Sequence, residues 1–522
     1  MRKLLLTSLF IGLISTPALS QENNLKIAFA DNLSSLDPQL NNFAGDRSAS
    51  LFFFDTLVAN YNNQLLPALS TKWQNVDPLT WEFTIQPDIK WGDNQILTAE
   101  DIVYSLERIR NVPGSVAPFT SYVRTIESIK IKDPLTLEIK TNIPNPDLPL
   151  NLASVHLVNK QTTENSTSEI FNSAKTLIGT GPYKLISYTP GERLIAERNP
   201  NYWGKTPIWD KVEYTYIANA ASRTASLLAG DVDVIDKVSV SDIKRLQNHP
   251  KVDVFTYNGL RVFLLQPSFN PNSNQYITDH QGNPLDNNPL LDQRVREALS
   301  IAINRDAIAD RILQGGVSIA NQWMPDGSIG FNPEIPPISF DNDRAKKLLT
   351  DAGYPDGFQL TIHVPNDRYP LAPETVQAVA QFWTRIGIKT KVEVVPWAVY
   401  SSAARKNEYA MSVLAWGNGT GESSYAMVSI LATVDPEAGL GASNFGHYSS
   451  EKLDNKLKEV TMEFNPAKRE QLMQEAAVIV SDEVGIIPLF HYKNIWAAKK
   501  GLKVKPLSSD RTVPTMITKQ EE

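Results

Sequence analysis

Short runs in which apolar and polar residues alternate, set between stretches with helical spacing, organise this chain from residue 25 to residue 492. Residues 25–30 alternate as a first strand and 81–85 form another. Ile129/Ile131 and Leu135/Leu137/Ile139 alternate on either side of Asp133-Pro134, which predicts a hairpin. A second hairpin is predicted where 183–188 and 193–198 flank Thr189-Pro190-Gly191-Glu192, with Pro and Gly placed for a type II turn. Gly179 and Gly181 bracket its entry, where close backbone approach favours a residue without a side chain. Val212, Tyr214 and Tyr216 alternate as a further strand. The run 261–266 has no internal gap, as for a buried strand, and Leu360/Ile362/Val364 and Val392/Val394 mark two more.

Helices interleave with these strands. Thr98 caps a helix that carries Asp101 at its third position and Val103, Leu106 and Ile109 along one face. Residues 220–229 are helical and end at Gly230. Asp292 caps a helix with Val295, Leu299 and Ala302 on one face, and 305–313 follows, ended by Gly315-Gly316. Further helices are predicted at 343–352, around Val376, Val379, Trp383 and Ile386, at 450–462 and at 466–481. Residues 268–291 read as a long loop. Strand–helix–strand alternation predicts an α/β protein with mixed sheets, and the unit from 360 to 394 predicts parallel pairing.

Composition narrows the class. A chain of 522 residues is too long for one ordinary core, so two or three domains are expected. Hydrophobic content of 42% with 20% charged residues is that of a folded globular protein. The net charge of −7 and the lack of a basic block argue against nucleic acid as a partner. Residues 1–20 read as a secretory signal: Arg2 and Lys3, an apolar run from Leu4 to Ile14, and the small-x-small site Ala18-Leu19-Ser20. Its removal takes two positive charges, giving −7 − 2 = −9. There is no cysteine, which excludes a lipoprotein anchor, disulfides and thiol chemistry. With no later apolar span of about 18 residues, a soluble periplasmic protein is expected.

Catalytic and metal signatures are missing from the sequence. The six histidines never fall within five positions of one another, and His363, between Ile362 and Val364, reads as an exposed strand residue. The 57 acidic residues offer no pair that sequence alone can single out. Aromatic residues say more. Trp397 and Tyr400 follow the strand at 392–395, and Trp416 ends the strand at 410–415. Loops after parallel strands gather at one sheet edge, where ligands bind in open α/β sheets, although core packing explains each tryptophan as well. The loop from Gly417 to Tyr425 exposes backbone at three glycines and carries Glu422.

Four segments in order resemble the signatures of bacterial solute-binding protein family 5, the oligopeptide and dipeptide receptors of ABC importers. They are the loop from Asp31 to Pro38, KWGDNQILTAEDIVYSLERIR (Lys90 to Arg110), GTGPYKLISYTPGERLIAERNPNYWGK (Gly179 to Lys205) and DQRVREALSIAINRDAI from Asp292. The resemblance implies an α/β, type II periplasmic-binding-protein-like fold: two lobes with mixed sheets joined by a hinge, and an extra α+β sub-domain inserted in lobe one. It divides the chain, after the signal at 1–20, into lobe one (21–55), the inserted sub-domain (56–177), lobe one again (178–262), lobe two (263–486) and a return to lobe one (487–522). Tyr202 and Trp203 then read as packing at a corner.

The same resemblance implies a receptor, not an enzyme, that needs no cofactor or metal. It closes on a peptide or other small solute and docks, as a monomer, on an ABC permease of the inner membrane. A metal chelate, haem, an opine or an oligosaccharide in place of peptide is the alternative, and an exported hydrolase the remote one. The ligand-binding residues implied are Asn32 and Leu33, then Leu260 and Arg261 near the crossover, Trp397, Trp416, Asn418, Gly419, Glu422 and Tyr492. In peptide-binding members an aspartate three residues after a tryptophan pairs with the peptide ammonium; here that position is Gly419. Glu422 either supplies the charge from one turn further on or is a solvated loop residue.

Overall fold

The computed structural model describes residues 23–272 and 275–520, so the predicted signal at 1–20 lies outside it. A mixed sheet of twelve strands forms its spine. In one half, Asn24–Phe29 pairs in parallel with Lys211–Tyr216, and the hairpin Tyr183–Thr189/Arg193–Arg198 extends the edge. Gly191 has φ +73°, the left-handed value that the third residue of the predicted turn requires. The two glycines at the entry lie against a helix end: a Cβ on Gly179 would stand 1.8 Å from the Phe53 carbonyl oxygen, and one on Gly181 2.4 Å from the Phe53 carbonyl carbon. The helix so clamped, Ala44–Phe53, buries Phe52 and Phe53 against Tyr183 and Tyr214. Each such ring contributes about 1.5–3 kcal/mol of burial.

In the other half Phe358–Pro365 runs parallel to Ile388–Val395, with the helix Ala372–Thr384 between them in sequence. Met411–Gly417 joins this half to the strand Val252–Pro267. Two long strands, Val252–Pro267 and Ile487–Lys499, belong to both halves and pair antiparallel along their length. Their register shifts between Asn258 and Val262. There Gly259 passes so close that a Cβ would lie 2.5 Å from the Tyr492 carbonyl oxygen. Before the shift Val252 packs with Ile495 and Ala497; after it Phe263 and Leu265 pack with Ile487, Leu489 and Phe490. The change of core therefore falls inside continuous strands and not at a loop.

A third body has its own core, drawn from residues between Leu57 and Leu157 around the fully buried Trp91. Its four-stranded antiparallel sheet contains Thr80–Ile85 and the predicted hairpin, observed as Ile126–Asp133/Thr136–Thr141. The helix Ala99–Arg108 begins as the capping residues predict, with the Asp101 carboxylate accepting from the Thr98 N–H at 2.9 Å. The other carboxylate oxygen accepts from Lys160 N at 2.9 Å, tying the cap to a distant segment.

Two local expectations are corrected. His363 is 2% exposed: its strand is flanked by strands on both sides and covered on both faces, so alternation does not reach solvent. Its ring stacks on Tyr409 at 3.8 Å, and Nε2 lies 3.2 Å from Glu393. The long stretch 268–291 holds a short strand, Ile277–Thr278, and a turn of 3₁₀ helix at Pro289–Leu291. No helix among the described residues is long and apolar enough to cross a membrane.

Candidate functional site

The loop that follows Met411–Gly417 is the point where all three bodies meet. Asn418 organises it. Its Oδ1 accepts from Thr420 N, Thr420 Oγ1 and Gly421 N at 2.9–3.0 Å, and its Nδ2 donates to the Glu422 carbonyl oxygen at 2.7 Å. Its backbone N–H donates to the Leu260 carbonyl oxygen at 2.9 Å, fixing the loop to the crossover strand. Asn418 is buried, and its side chain is spent on this loop and on Met324, whose Sδ accepts from Nδ2 at 3.2 Å. The far side of the loop docks on the inserted body. Asn60 Nδ2 donates to the Thr420 carbonyl oxygen at 3.0 Å, and a Cβ on Gly421 (φ +80°) would overlap Asn63. Gly419 faces the Tyr122 hydroxyl.

Beneath this contact lies a cavity of about 520 Å³, bordered by Phe54, Asn60, Tyr202, Leu260, Gly419 and Arg511 among others. Its walls come from the first half, the inserted body and the C-terminal segment, with Leu260 of the crossover strand and Gly419 and Thr420 from the second half. Thr420 also borders a second cavity of about 480 Å³ on its other side, with Tyr122 and Tyr425. Tyr202 thus lines a cavity as well as packing on Trp203, whose indole N–H donates to the buried Asp55 carboxylate at 2.9 Å. Burial raises the Asp55 carboxyl against the hydrogen bonds from Trp203 and Thr180.

Of the implied residues only Leu260 and Gly419 border this cavity; Trp416, Trp397, Tyr492 and Arg261 do not line it. Trp416 leans on Tyr425 at 5.1 Å between ring centres. Trp397 opens the helix Trp397–Arg405 and is half-buried, with Tyr369 at its edge, Tyr400 stacked beneath and the Arg368 guanidinium 5.2 Å above. Tyr492 packs on Phe263 and Phe490 and donates its hydroxyl to the Pro370 carbonyl oxygen at 2.9 Å. Arg261 pairs with Gly417 across the sheet, and its Nη1 donates to the Ala415 carbonyl oxygen at 3.0 Å.

The first-lobe pair divides. Asn32 is exposed, whereas Leu33 is buried in the core and its carbonyl oxygen accepts from the Tyr188 hydroxyl at 3.2 Å.

Glu422 is 5% exposed, so it is not a solvated loop residue. It pairs with Arg469 Nη1, while Arg469 Nη2 lies 2.7 Å from Asp147 of the inserted body. Burial, then the neighbouring Asp147, pushes the Glu422 carboxyl up to about 8 against the pull of Arg469. Its carboxylate is committed to that contact and does not border the cavity of about 520 Å³. Sequence reasoning missed Asp147, Arg469, Tyr122, Arg47 and Arg511, none of which carries a local motif; they meet only because the lobes do. Among the described residues no group of three or more histidine, aspartate or glutamate side chains is placed to hold a metal ion.

Comparison with known proteins places this geometry. Residues 64–438 match the profile of the bacterial extracellular solute-binding proteins, family 5. Haem-binding protein A of Haemophilus influenzae is 26% identical over 81% of this chain and 78% of its own length. The dipeptide-binding protein of Escherichia coli is 24% identical, covering 85% of this chain and 84% of its own. The solved structure of HbpA2 from Haemophilus parasuis superposes with a TM-score of 0.83 at 24% identity, covering 96% of this chain and all of that one. That last likeness carries the two-lobed fold. With the profile spanning well over half its length, the chain belongs to the bacterial extracellular solute-binding proteins, family 5.

Proposed function

We propose that the protein is the periplasmic receptor of an ABC importer, which captures a peptide or peptide-like solute between its lobes and delivers it to a membrane permease. The observation that carries this reading is the cavity under the 418–421 loop, because the first half, the inserted body and Gly419 and Thr420 from the second half all contribute to its wall. A site so divided is completed only when the bodies come together. Closure then follows from the solute's differential affinity for the closed arrangement. The two strands that pass between the halves, with their register shift at 258–262, supply the hinge. Trp397, Trp416 and Tyr492, each part-buried, present aromatic surface in the second half and at the crossover, which suits side chains of varied shape. No catalytic role is assigned to any group here; the residues bind and position.

A non-peptide solute is the second reading. It is favoured by Gly419, which leaves the family's ammonium-pairing position without a carboxylate, and by Glu422, which faces Arg469. The two readings separate in native mass spectrometry of the mature chain purified without denaturation. A retained peptide mass supports the first, and a haem, metal chelate, opine or sugar mass replaces it with the second. Conversion of the bound solute to a product contradicts both.

A further inference from the structure

Two arginines beside the cavity carry more positive charge than the carboxylates around them balance. Arg511 lines the cavity, and Leu51, one turn beyond Arg47 on the helix Ala44–Phe53, lines it too. The Nε atoms of both arginines are buried, and neither has a hydrogen-bond partner among the described residues. The carboxylate that acts on both is Asp510, which, against burial, Lys237, Arg47, Arg261 and Arg511 together hold below its ordinary value, so one acid is shared among four cations. Lys237 Nζ, 2.5 Å from Asp31 and 3.8 Å from Asp510, takes part of that negative charge.

The two cations also act on each other and on a neighbour. Burial, then the like charge of Arg47, pushes Arg511 down to about 10. His156 follows Ser154 of the cavity wall by two residues. Burial, then Arg511 and Arg47, holds its imidazole down to about 3, and both ring nitrogens lack a partner. Buried positive charge in excess of its counter-charge is destabilising, and an anionic ligand would supply the missing part. A guanidinium presents a planar fork of N–H donors that matches a carboxylate or phosphate. The cavity volume falls within the range of about 300–1,000 Å³ usual for small-molecule sites.

We propose that Arg47 and Arg511 form an oxyanion subsite that takes a carboxylate or phosphate group of the captured solute. The neutral His156 stands beside it with an N–H to offer. This rests on the receptor reading above and narrows its solute class to molecules with an acidic group that reaches under the 418–421 loop.

The test uses the mature full chain, its Arg511→Gln and Arg47→Gln variants, and two probe anions, succinate and inorganic phosphate. Melting temperature is followed against sodium chloride at matched ionic strength. The wild type is expected to gain thermal stability from one or both probes, which identifies carboxylate or phosphate chemistry, and both variants are expected to lose that gain. In the absence of probe, Arg511→Gln is expected to melt at the same or a higher temperature, because it removes one of the four cations that share Asp510. A lower melting temperature makes Arg511 a structural residue and overturns the proposal. So does a wild type that ignores both probes, or a variant that responds as the wild type does.

The solute recovered by native mass spectrometry is then titrated back. Arg511→Gln is expected to bind it about ten-fold or more weakly, the loss typical of one hydrogen bond to a charged group. Unchanged affinity for that solute overturns the proposal while the receptor reading stands. An intact anion response with no solute ever captured keeps the oxyanion site and removes the receptor reading.

Discussion

Arg469 holds Asp147 at 2.7 Å from its Nη2 and Glu422 at its Nη1, so one guanidinium links the long helix Pro466–Glu483 to both the inserted body and the loop over the cavity. Arg469 and Glu422 are buried, and two carboxylates share the one cation. Removing it would leave two adjacent acids without a counter-charge. Arg469→Leu is therefore expected to lower unfolding free energy in urea by about 3–5 kcal/mol. Adding Glu422→Gln should recover part of that loss. A change below about 1 kcal/mol for the single variant would mean that the contact is solvent-screened and does not join the lobes.

The glycine clamp at the hairpin entry predicts a different kind of loss. Gly179→Ala places a methyl 1.8 Å from the Phe53 carbonyl oxygen, a backbone atom that cannot rotate aside. Overpacking of this kind costs about 1–3 kcal/mol. Gly191→Ala, with nothing within 4 Å of the added methyl, meets only the strain of its positive φ and is expected to lose less. Equal urea midpoints for the two variants would contradict the close approach.

These two contacts mark how far the sequence is legible. The clamp was readable because its signal is local: two glycines before a predicted strand pair, followed by a Pro-Gly turn. The cap formed by Thr98 and Asp101, and the helix start at Asp292, were readable for the same reason. His363 departs from its predicted exposure because alternation assumes a strand with one face open, and this strand is covered on both. Glu422 was open between two roles, and neither foresaw Arg469, 47 positions away. Arg47 and Arg511 come from opposite ends of the chain, so no window of sequence contains both. The family was legible from ordered segments; the charge around the cavity depends on how the bodies assemble.

Two buried histidines set a pH limit. Burial holds His156 down to about 3 and His491 down to about 4, each below the ordinary value of 6.5. With the folded value depressed, the stability each contributes is complete above pH 6.5 and is lost as pH falls toward the folded value. Each adds a slope of about 1.4 kcal/mol per pH unit over that window. His491→Gln is expected to remove one such increment from unfolding free energies measured between pH 6 and about 4. An unchanged slope would mean that His491 titrates normally in the fold.

The loop at 418–421 makes a prediction for binding. Asn418→Ala removes the acceptor of three hydrogen bonds and the donor of another, all within the loop that roofs the cavity. Solute affinity is expected to fall about ten-fold or more, with a smaller effect on the urea midpoint, because the loop lies outside the main cores. Calorimetric titration with the solute recovered from the native protein checks this, and unchanged affinity would detach the loop from the site.

This receptor works by bringing its lobes together over a captured solute. Small-angle scattering from the mature chain, alone and saturated with its recovered solute, tests that most directly. A smaller radius of gyration is expected on saturation, with the solute released chemically unchanged afterwards. A radius that stays the same with solute bound, or a solute returned as product, would contradict it.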